Sequence, residues 1–292
     1  MRIVAILAVH NRKHTTIANL NRLATSAAAA RVDLSVVVFD DGSTDGTGTA
    51  LHEIPLPVTV LHGRDQFWAA GMARAEKAAL AAKPDFLLWL NDDVELDVDS
   101  ISRLVESAEA SDVAATFVGA TRSRSHDGVI TYTGHRLRSR WRPMNLRPVL
   151  PSSAPLRVDT FNGNVVLVPA RHAQSVGGID GGFEHGMADF DFGLRLTGAD
   201  LPIYLAPGTF GTCDRNSPSG TWRDTTLPIR KRLSLVTHRK EIPPRSLVRF
   251  VWRHSQLRMP VIVPWIYCRL TLDILLGRTT GSAGWRRDEV TP

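Results

Sequence analysis

Cysteine is scarce: Cys213 and Cys268 are the only two in 292 residues. That number cannot build a disulfide framework and suggests a reducing compartment. Long apolar runs are missing too, and no stretch approaches the roughly 18 uninterrupted apolar residues of a membrane span. The opening MRIVAILAVHNR has an apolar run too short for a signal peptide and no small-residue cleavage site, so it reads as a first strand. C-x-x-C repeats, a helix-turn-helix signature and an aromatic-rich nucleic-acid module are all absent, and nucleic acid is not an expected partner. No internal repeat or low-complexity tract is visible. What is present, at 43% hydrophobic, can bury the core of one large domain, or of one domain with an appendage.

The net charge of +6 is spread unevenly. Residues 1–217 hold 21 Lys/Arg against 24 Asp/Glu, a balance of −3, whereas residues 218–292 hold 14 against 5, a balance of +9. Within the first part, the stretch from Arg122 to Arg147 carries seven arginines and one aspartate. Chemistry is expected in the acidic part, and contact with an anionic partner in the basic one. The boundary is placed at Pro218.

Apolar strands at Arg2–Val9, Leu34–Phe39, Val58–Leu61 and Phe86–Leu90 alternate with helices over about Thr15–Ala29, up to Glu53, and Ala69–Ala82. Four strands alternating with three helices predict an α/β fold, a mostly parallel sheet with helices on both faces. This makes 1–96 the first half of the domain. In the second half, 97–217, the pattern predicts a helix at Ser100–Ala110 and a strand at Val113–Ala120. An exposed hairpin or loop over 122–147, strands at Val158–Phe161 and Val165–Val168, a glycine-rich loop, and a helix at Ala188–Thr197 follow. Beyond Pro218 come basic, Trp-containing helices interrupted by prolines, a helical appendage.

The chain is organised around Leu87–Leu96, LLWLNDDVEL. Its apolar run stops at Asn91, Asp92 and Asp93, and ligands of a parallel α/β sheet bind at such carboxyl ends of strands. Adjacent aspartates there repel unless something positive joins them. A hard divalent cation carrying phosphate oxygens meets that need. The same residues also read as a strand end before an acidic helix start, with Asp97 and Asp99 favouring the next helix dipole. The second strand ends in DDGSTDGT. There an aspartate can accept from a base N–H, Gly42 permits close approach, and Ser43 can cap a helix whose N-terminus favours anions. A capped βα turn is the plainer reading.

Taken in order, VHNR, FDDGSTD, WLNDDVEL and ADFDFGLRL resemble family 2 glycosyltransferases of the GT-A (Rossmann-like) fold. The resemblance is greatest to bacterial members that build rhamnose- or galactofuranose-containing surface glycans, and it covers about residues 2–215. It implies an inverting enzyme, assisted by Mn²⁺ or Mg²⁺, that uses a nucleotide-diphosphate sugar linked to UDP or dTDP. Position by position, Asp40, with Asp41 beside it, matches the aspartate holding the donor base. Val9 and Asn11 match residues lining base and ribose. Asp93 matches the metal ligand of a DXD-type motif, and Asp92 its ribose or metal-shell neighbour. Asp189 matches the catalytic base, and Asp191 and Arg195 the acidic and basic positions after it, Asp191 on the acceptor side. Asp189 and Asp191 also read as an acidic, dipole-compensating helix start.

Within RDQFWAAGMARA, Trp68 and Gly71 fit the donor side of the subfamily. Arg74 either meets the diphosphate or is a solvated helix arginine. Asn162 and Asn164 in FNGNVV are candidate acceptor contacts or members of a tight hairpin turn. Glu184 and His185 lie where either sugar can reach them, while His10 and His14 read as turn and helix residues. Relatives often carry a metal-binding His after the catalytic helix. Cys213 in GTCDRN is the nearest counterpart here, and it reads as a bystander because thiolates suit softer ions.

The chemistry accounts for these residue types. Displacement at an anomeric carbon needs a base for the acceptor proton on one face. On the other face it needs charge stabilisation of the leaving group. A glycoside hydrolase also pairs carboxylates but has no use for the strand-two turn. Two alternatives stay open. A nucleotidyltransferase would need a glycine-rich basic loop after strand one, of which AVHNRKHTT is a poor version. An inactive nucleotide-sugar-binding module would not need Asp93 and Asp189 together. The expected acceptor is a saccharide, or a polyprenyl-diphosphate-linked one at the cytoplasmic membrane face. The tail segment RFVWRHSQLRMPVIVPWIYCRLTLDILLG suits a membrane interface, with Trp and Tyr at headgroup level and arginines on anionic lipid. A dimer interface or an ordinary buried helix is the alternative.

Overall fold

The computed structural model describes residues 1–139 and 141–277. The end of the expected tail, residues 278–292, lies outside the described residues, as does Arg140. The first half comprises β1 (Arg2–Val9), α1 (Lys13–Ala30), β2 (Asp33–Asp40), the short α2 (Thr47–Ala50), β3 (Val58–His62), α3 (Phe67–Ala81) and β4 (Phe86–Leu90). The four strands run parallel in the order β4-β1-β2-β3. Their side chains alternate between two buried layers. Ile6, Val37 and Trp89 face one, while Leu7, Val38 and Leu88 face the other. Burial on both faces is why these strands read as continuous apolar runs.

The alanine-rich α3 packs Ala69, Met72, Ala75 and Ala79 on the first layer, and α1 packs Leu20, Leu23 and Ala27 on the second. Small side chains bring α3 close to the sheet. At Gly71 a Cβ would lie 2.6 Å from the Phe39 ring and 3.2 Å from the Ala8 Cβ.

The second half adds β5 (Glu95–Leu96), α4 (Ser100–Glu109), β6 (Thr116–Arg122), β7 (Ile130–Tyr132), β8 (Gly134–Leu137), β9 (Leu146–Pro148), β10 (Leu156–Arg157), β11 (Thr160–Phe161), β12 (Val165–Pro169), α5 (Ala170–Ser175), α6 (Ala188–Gly198) and β13 (Ile203–Thr212). Here the sheet becomes mixed. β12 lies antiparallel between β4 and β6, and β13 runs parallel to β6. Val165 pairs with Leu90, so the turn before β12 sits beside the end of β4.

Two expectations are corrected. The strand expected from Val113 starts at Thr116. The region 122–147 is more than an exposed hairpin or loop: it makes two antiparallel pairs, with β7 joining the main sheet beside β6 and β8 forming a second sheet with β9 and β11. Thr131, Thr133 and His135 alternate inward and are buried, a period-two pattern carried by polar side chains and therefore without an apolar signal.

Three helices follow, α7 (Ile229–Val236), α8 (Pro244–Ser255) and α9 (Met259–Leu275). Leu247, Phe250 and Val251 of α8 enter the same apolar cluster as Ile6 and Trp89. The basic tail is therefore packed on the sheet domain through α8.

Candidate functional site

The carboxyl ends of β1, β2 and β4 converge with the turn before β12, the start of α6 and the end of β13. Two of these loops are knitted by Asn11, whose left-handed backbone (φ 50°) directs its amide to Ser43 Oγ at 3.0 Å. Its side-chain oxygen accepts the Thr44 N–H at 2.8 Å. Asp40 is buried, and its Oδ1 accepts the Ser43 N–H at 2.8 Å. Asp41 accepts the Gln66 and Phe67 N–H groups, both at 2.9 Å. It thereby holds the junction between the preceding loop and α3, where Asp65 and Phe67 have positive φ. Val9 turns its side chain into the core and offers the loop only its carbonyl, which accepts from the Asp41 N–H at 2.9 Å.

At the end of β4, one guanidinium joins two carboxylates. Arg12 Nη1 lies 3.1 Å from Asp92 Oδ1 and 3.0 Å from Asp93 Oδ2. Asp92 is 7% exposed. Thr16 donates to its Oδ2 at 3.3 Å, and the Asn19 amide donates to its backbone carbonyl. Burial nevertheless pushes Asp92 up to about 6, outweighing the attraction of Arg12. Arg12, just before α1, and Thr16 and Asn19 within it are spaced i, i+4, i+7. Thr16 and Asn19 are buried polar residues outside the quoted motifs, and their spacing from Arg12 was the signal that could have found them.

Asp93 keeps a side chain about 30% exposed. Its Oδ1 accepts from Cys213 Sγ at 3.4 Å, and its backbone carbonyl accepts from Arg124 Nη2 at 3.0 Å. Cys213 thus sits beside Asp93 as a thiol donor. Burial, then the charge of Asp93, pushes its thiol pKa well up. Among the described residues no group of three His, Cys, Asp or Glu side chains is arranged to hold a metal ion. The residues present fit an ion held by Asp93 and completed by phosphate oxygens, because the guanidinium already shows a cation accepted between Asp92 and Asp93.

The turn before β12 links this acidic end to α6. The Asn91 N–H donates to Asn164 O at 3.1 Å, and Asn91 Oδ1 accepts from Trp68 Nε1 at 3.1 Å. The buried Asn164 amide faces Cys213 Sγ at 3.8 Å. Gly163 sits against Trp68, where a Cβ would lie 3.1 Å from the indole. Its N–H donates to Asp189 Oδ2 at 3.1 Å, while the Phe190 N–H donates to Oδ1 at 2.9 Å. Asp189 thus sits in the first turn of α6, behind a left-handed Met187 and with no side-chain cap on the helix. Burial pushes it up to about 6 against the pull of those two N–H groups. Asn162 pairs with Thr133, its N–H donating to the Thr133 carbonyl at 3.2 Å.

Asp191, two residues on, has another fate. It is 0% exposed, with Arg195 Nε 2.8 Å from Oδ2 and with Arg253 Nη1 and His254 Nε2 2.8 and 2.9 Å from Oδ1. Burial alone would raise it, but His254, Arg195 and Arg253 hold it below the ordinary carboxylate range. Asp191 therefore fastens α8 to α6, in place of the expected acceptor contact. Gly71 is likewise a packing position under Phe39, and Arg74 stacks over the same ring at 5.1 Å. Glu184 pairs with Arg239 at 3.3 Å, and Arg239 covers the Phe67 ring at 4.2 Å. Burial, with Lys240 and Arg12 nearby, pushes His185 down. Its buried Nδ1 has no hydrogen-bond partner among the described residues. A separate cavity of about 770 Å³ lies between α4 and β13, lined by Arg103, Phe117, Tyr204 and Phe210 among others, and includes none of these groups.

Residues 4–164 match the family described as Glycosyl transferase family 2. No curated protein matches the chain. Among solved structures, it is similar to the mannosyltransferase PcManGT from Pyrobaculum calidifontis in complex with GDP-Man and Mn²⁺. That match has 16% identity and a TM-score of 0.56, over 94% of this chain and 74% of that one. It is also similar to S. aureus TarS 1-349, at 12% identity and a TM-score of 0.55, over 95% of this chain and 92% of that one. The same protein in complex with UDP matches at 15% identity and a TM-score of 0.53, over 87% and 72%. At such identities the likeness is one of fold.

Proposed function

The chain belongs to glycosyl transferase family 2, and on that premise we propose that it is an inverting glycosyltransferase whose base is Asp189. It moves a sugar from a nucleotide-diphosphate sugar to the hydroxyl of a saccharide acceptor. The observation that carries this reading is the bridge through the turn before β12. Gly163 holds the Asp189 carboxylate, and Asn164, its neighbour, is tied to Asn91 and Cys213 at the Asp92–Asp93 end. A base and a donor-phosphate locus thus share one rigid support. Placement of this kind is what an in-line displacement requires.

Asp189, raised to about 6, is mostly ionised at neutral pH yet more basic than an ordinary aspartate, which suits it to take the acceptor proton. Asp40, buried at the end of β2, is the carboxylate for the donor base, and Asn11 with Trp68 borders the ribose and sugar. Arg12 is partly exposed and can turn from the two aspartates toward a diphosphate. A Mn²⁺ or Mg²⁺ ion, held by Asp93, would supply Lewis-acid neutralisation of the leaving diphosphate. Asn162, Glu184 and His185 border the acceptor side, and the acceptor inferred from the motif resemblance is a saccharide of a bacterial surface glycan, free or linked to a polyprenyl diphosphate.

The test measures transfer and donor hydrolysis with UDP- and dTDP-sugars, with Mn²⁺, Mg²⁺ or chelator, for the wild type and Asp189→Asn. Turnover that is lost in the variant while nucleoside-diphosphate binding persists supports the reading. Binding without turnover by the wild type, across donors and acceptors, would leave a nucleotide-sugar-binding module.

A further inference from the structure

α9 has two faces of different fate. Met259, Ile262, Val263 and Ile266 pack against the main core, and Ile274 is buried in a small cluster with Trp222 and Val236. Tyr267, expected at a headgroup boundary, is instead partly buried and donates its hydroxyl to the Ile242 carbonyl at 2.8 Å. The opposite face presents Val261 (71% exposed), Trp265, Leu272 and Leu275, with Leu257 (95% exposed) just before the helix. The helical spacing of these residues makes one continuous apolar stripe, and no other element among the described residues covers it.

Cations border this stripe and are held there by aromatic rings. Arg258 lies 3.5 Å above the exposed Trp141, and Arg142 and Arg269 lie 5.3 and 5.6 Å from the Trp265 ring. Arg142 and Trp141 come from the arginine-rich segment before β9, so two regions distant in sequence build one rim. The helix is 17 residues long with Pro264 inside it, and no described helix is long and apolar enough to cross a membrane. An apolar stripe with tryptophan and arginine at its margin, on a helix that does not span, has the physical form of an interfacial element.

We propose that this face of α9, with the Trp141–Arg142 segment, docks on an anionic phospholipid surface. Val261, Leu272 and Trp265 enter the acyl boundary, while Arg142, Arg258 and Arg269 contact lipid phosphates. Charge selects this partner over a second copy of the chain, because a two-fold self-contact would set the same arginines against each other. The inference does not depend on the catalytic reading.

The test is co-sedimentation of the full chain, without nucleotide, with vesicles of phosphatidylglycerol or of phosphatidylcholine, at low and high salt. Binding is expected to phosphatidylglycerol and to weaken with salt. The double variant Val261→Glu/Leu272→Glu should lower it at least tenfold, and Arg258→Glu by about fivefold. Both variants lie on exposed positions, so nucleoside-diphosphate affinity and circular dichroism should match the wild type. The proposal is overturned if the wild type ignores phosphatidylglycerol or if the double variant binds it equally well. A wild-type dimer that the double variant dissociates, without vesicle binding, overturns it in favour of a second copy.

Discussion

Two pairs of aspartates sit in this molecule, Asp92 with Asp93 at the end of β4 and Asp189 with Asp191 at the start of α6. In each pair one member is buried and neutralised by arginine and the other remains partly exposed. The buried members nonetheless differ in sign. Asp92 has one guanidinium and one hydroxyl, and burial wins, so its pKa rises to about 6. Asp191 has Arg195, Arg253 and His254, and the partners win, so its pKa falls. The number of charged donors at hydrogen-bond distance decides between a strained carboxylate that a ligand can recruit and one locked into the fold.

Asp189→Asn gives the largest expected effect and tests the α6 pair from its exposed side. Loss of the base should lower kcat by about 10²–10⁴-fold with nucleotide affinity nearly unchanged, read by steady-state kinetics and calorimetry. In the wild type, kcat should fall as pH drops through about 6, because the base works only deprotonated; a flat profile there would remove Asp189 from the reaction.

Asp191→Asn tests the same pair from its buried side. It leaves Arg195 without its carboxylate, while Arg253 keeps Asp180 at 2.7 Å, which should cost about 3 kcal/mol of stability in urea unfolding. The stabilising contribution of Asp191 is present above the ordinary aspartate range and fades as pH falls through its lowered pKa. An unchanged urea midpoint would show that the α6–α8 ion network is not structural.

Asp92→Asn should show the opposite pH behaviour. The raised pKa means that the fold opposes ionisation, so the contribution of Asp92 is full below about 4 and lost as pH rises through about 6. The Asn variant should therefore gain stability relative to wild type at pH 8, of order 1–2 kcal/mol, with the gain vanishing near pH 4. A loss at pH 8 would mean that the pairing with Arg12 outweighs burial.

The smallest effect is expected for Cys213→Ala. Removing a weak thiol donor to Asp93 should change stability by about 1 kcal/mol and turnover by less than about threefold. A tenfold loss would give the thiol a role in holding Asp93.

Legibility followed the strength of the local pattern. The parallel half was readable because strands buried on both faces are continuous apolar runs and α3 is alanine-rich. The ends of those strands, Asp40 and Asn91–Asp93, were therefore placed as well. The second sheet was hidden because its strands have two to four residues, too short to show a period, and β8 and β9 place arginine beside their apolar residues. Cys213 looked isolated because its neighbours, Asp93 and Asn164, come from β4 and the turn before β12, far away in sequence. Asp189 and Asp191 were told apart only by the motif resemblance, which placed Asp191 on the acceptor side rather than in the buried ion network it forms.

By itself the sequence determined the alternation of strands and helices and the acidic strand ends, because period and residue type are local properties. Which aspartate of each pair is buried was decided only by the tertiary structure. Burial depends on what arrives from elsewhere, Arg12 from the loop after β1 for Asp92, and Arg253 and His254 from α8 for Asp191. A carboxylate's charge is set by the number of donors within about 3 Å, and that number exists only once distant segments have packed.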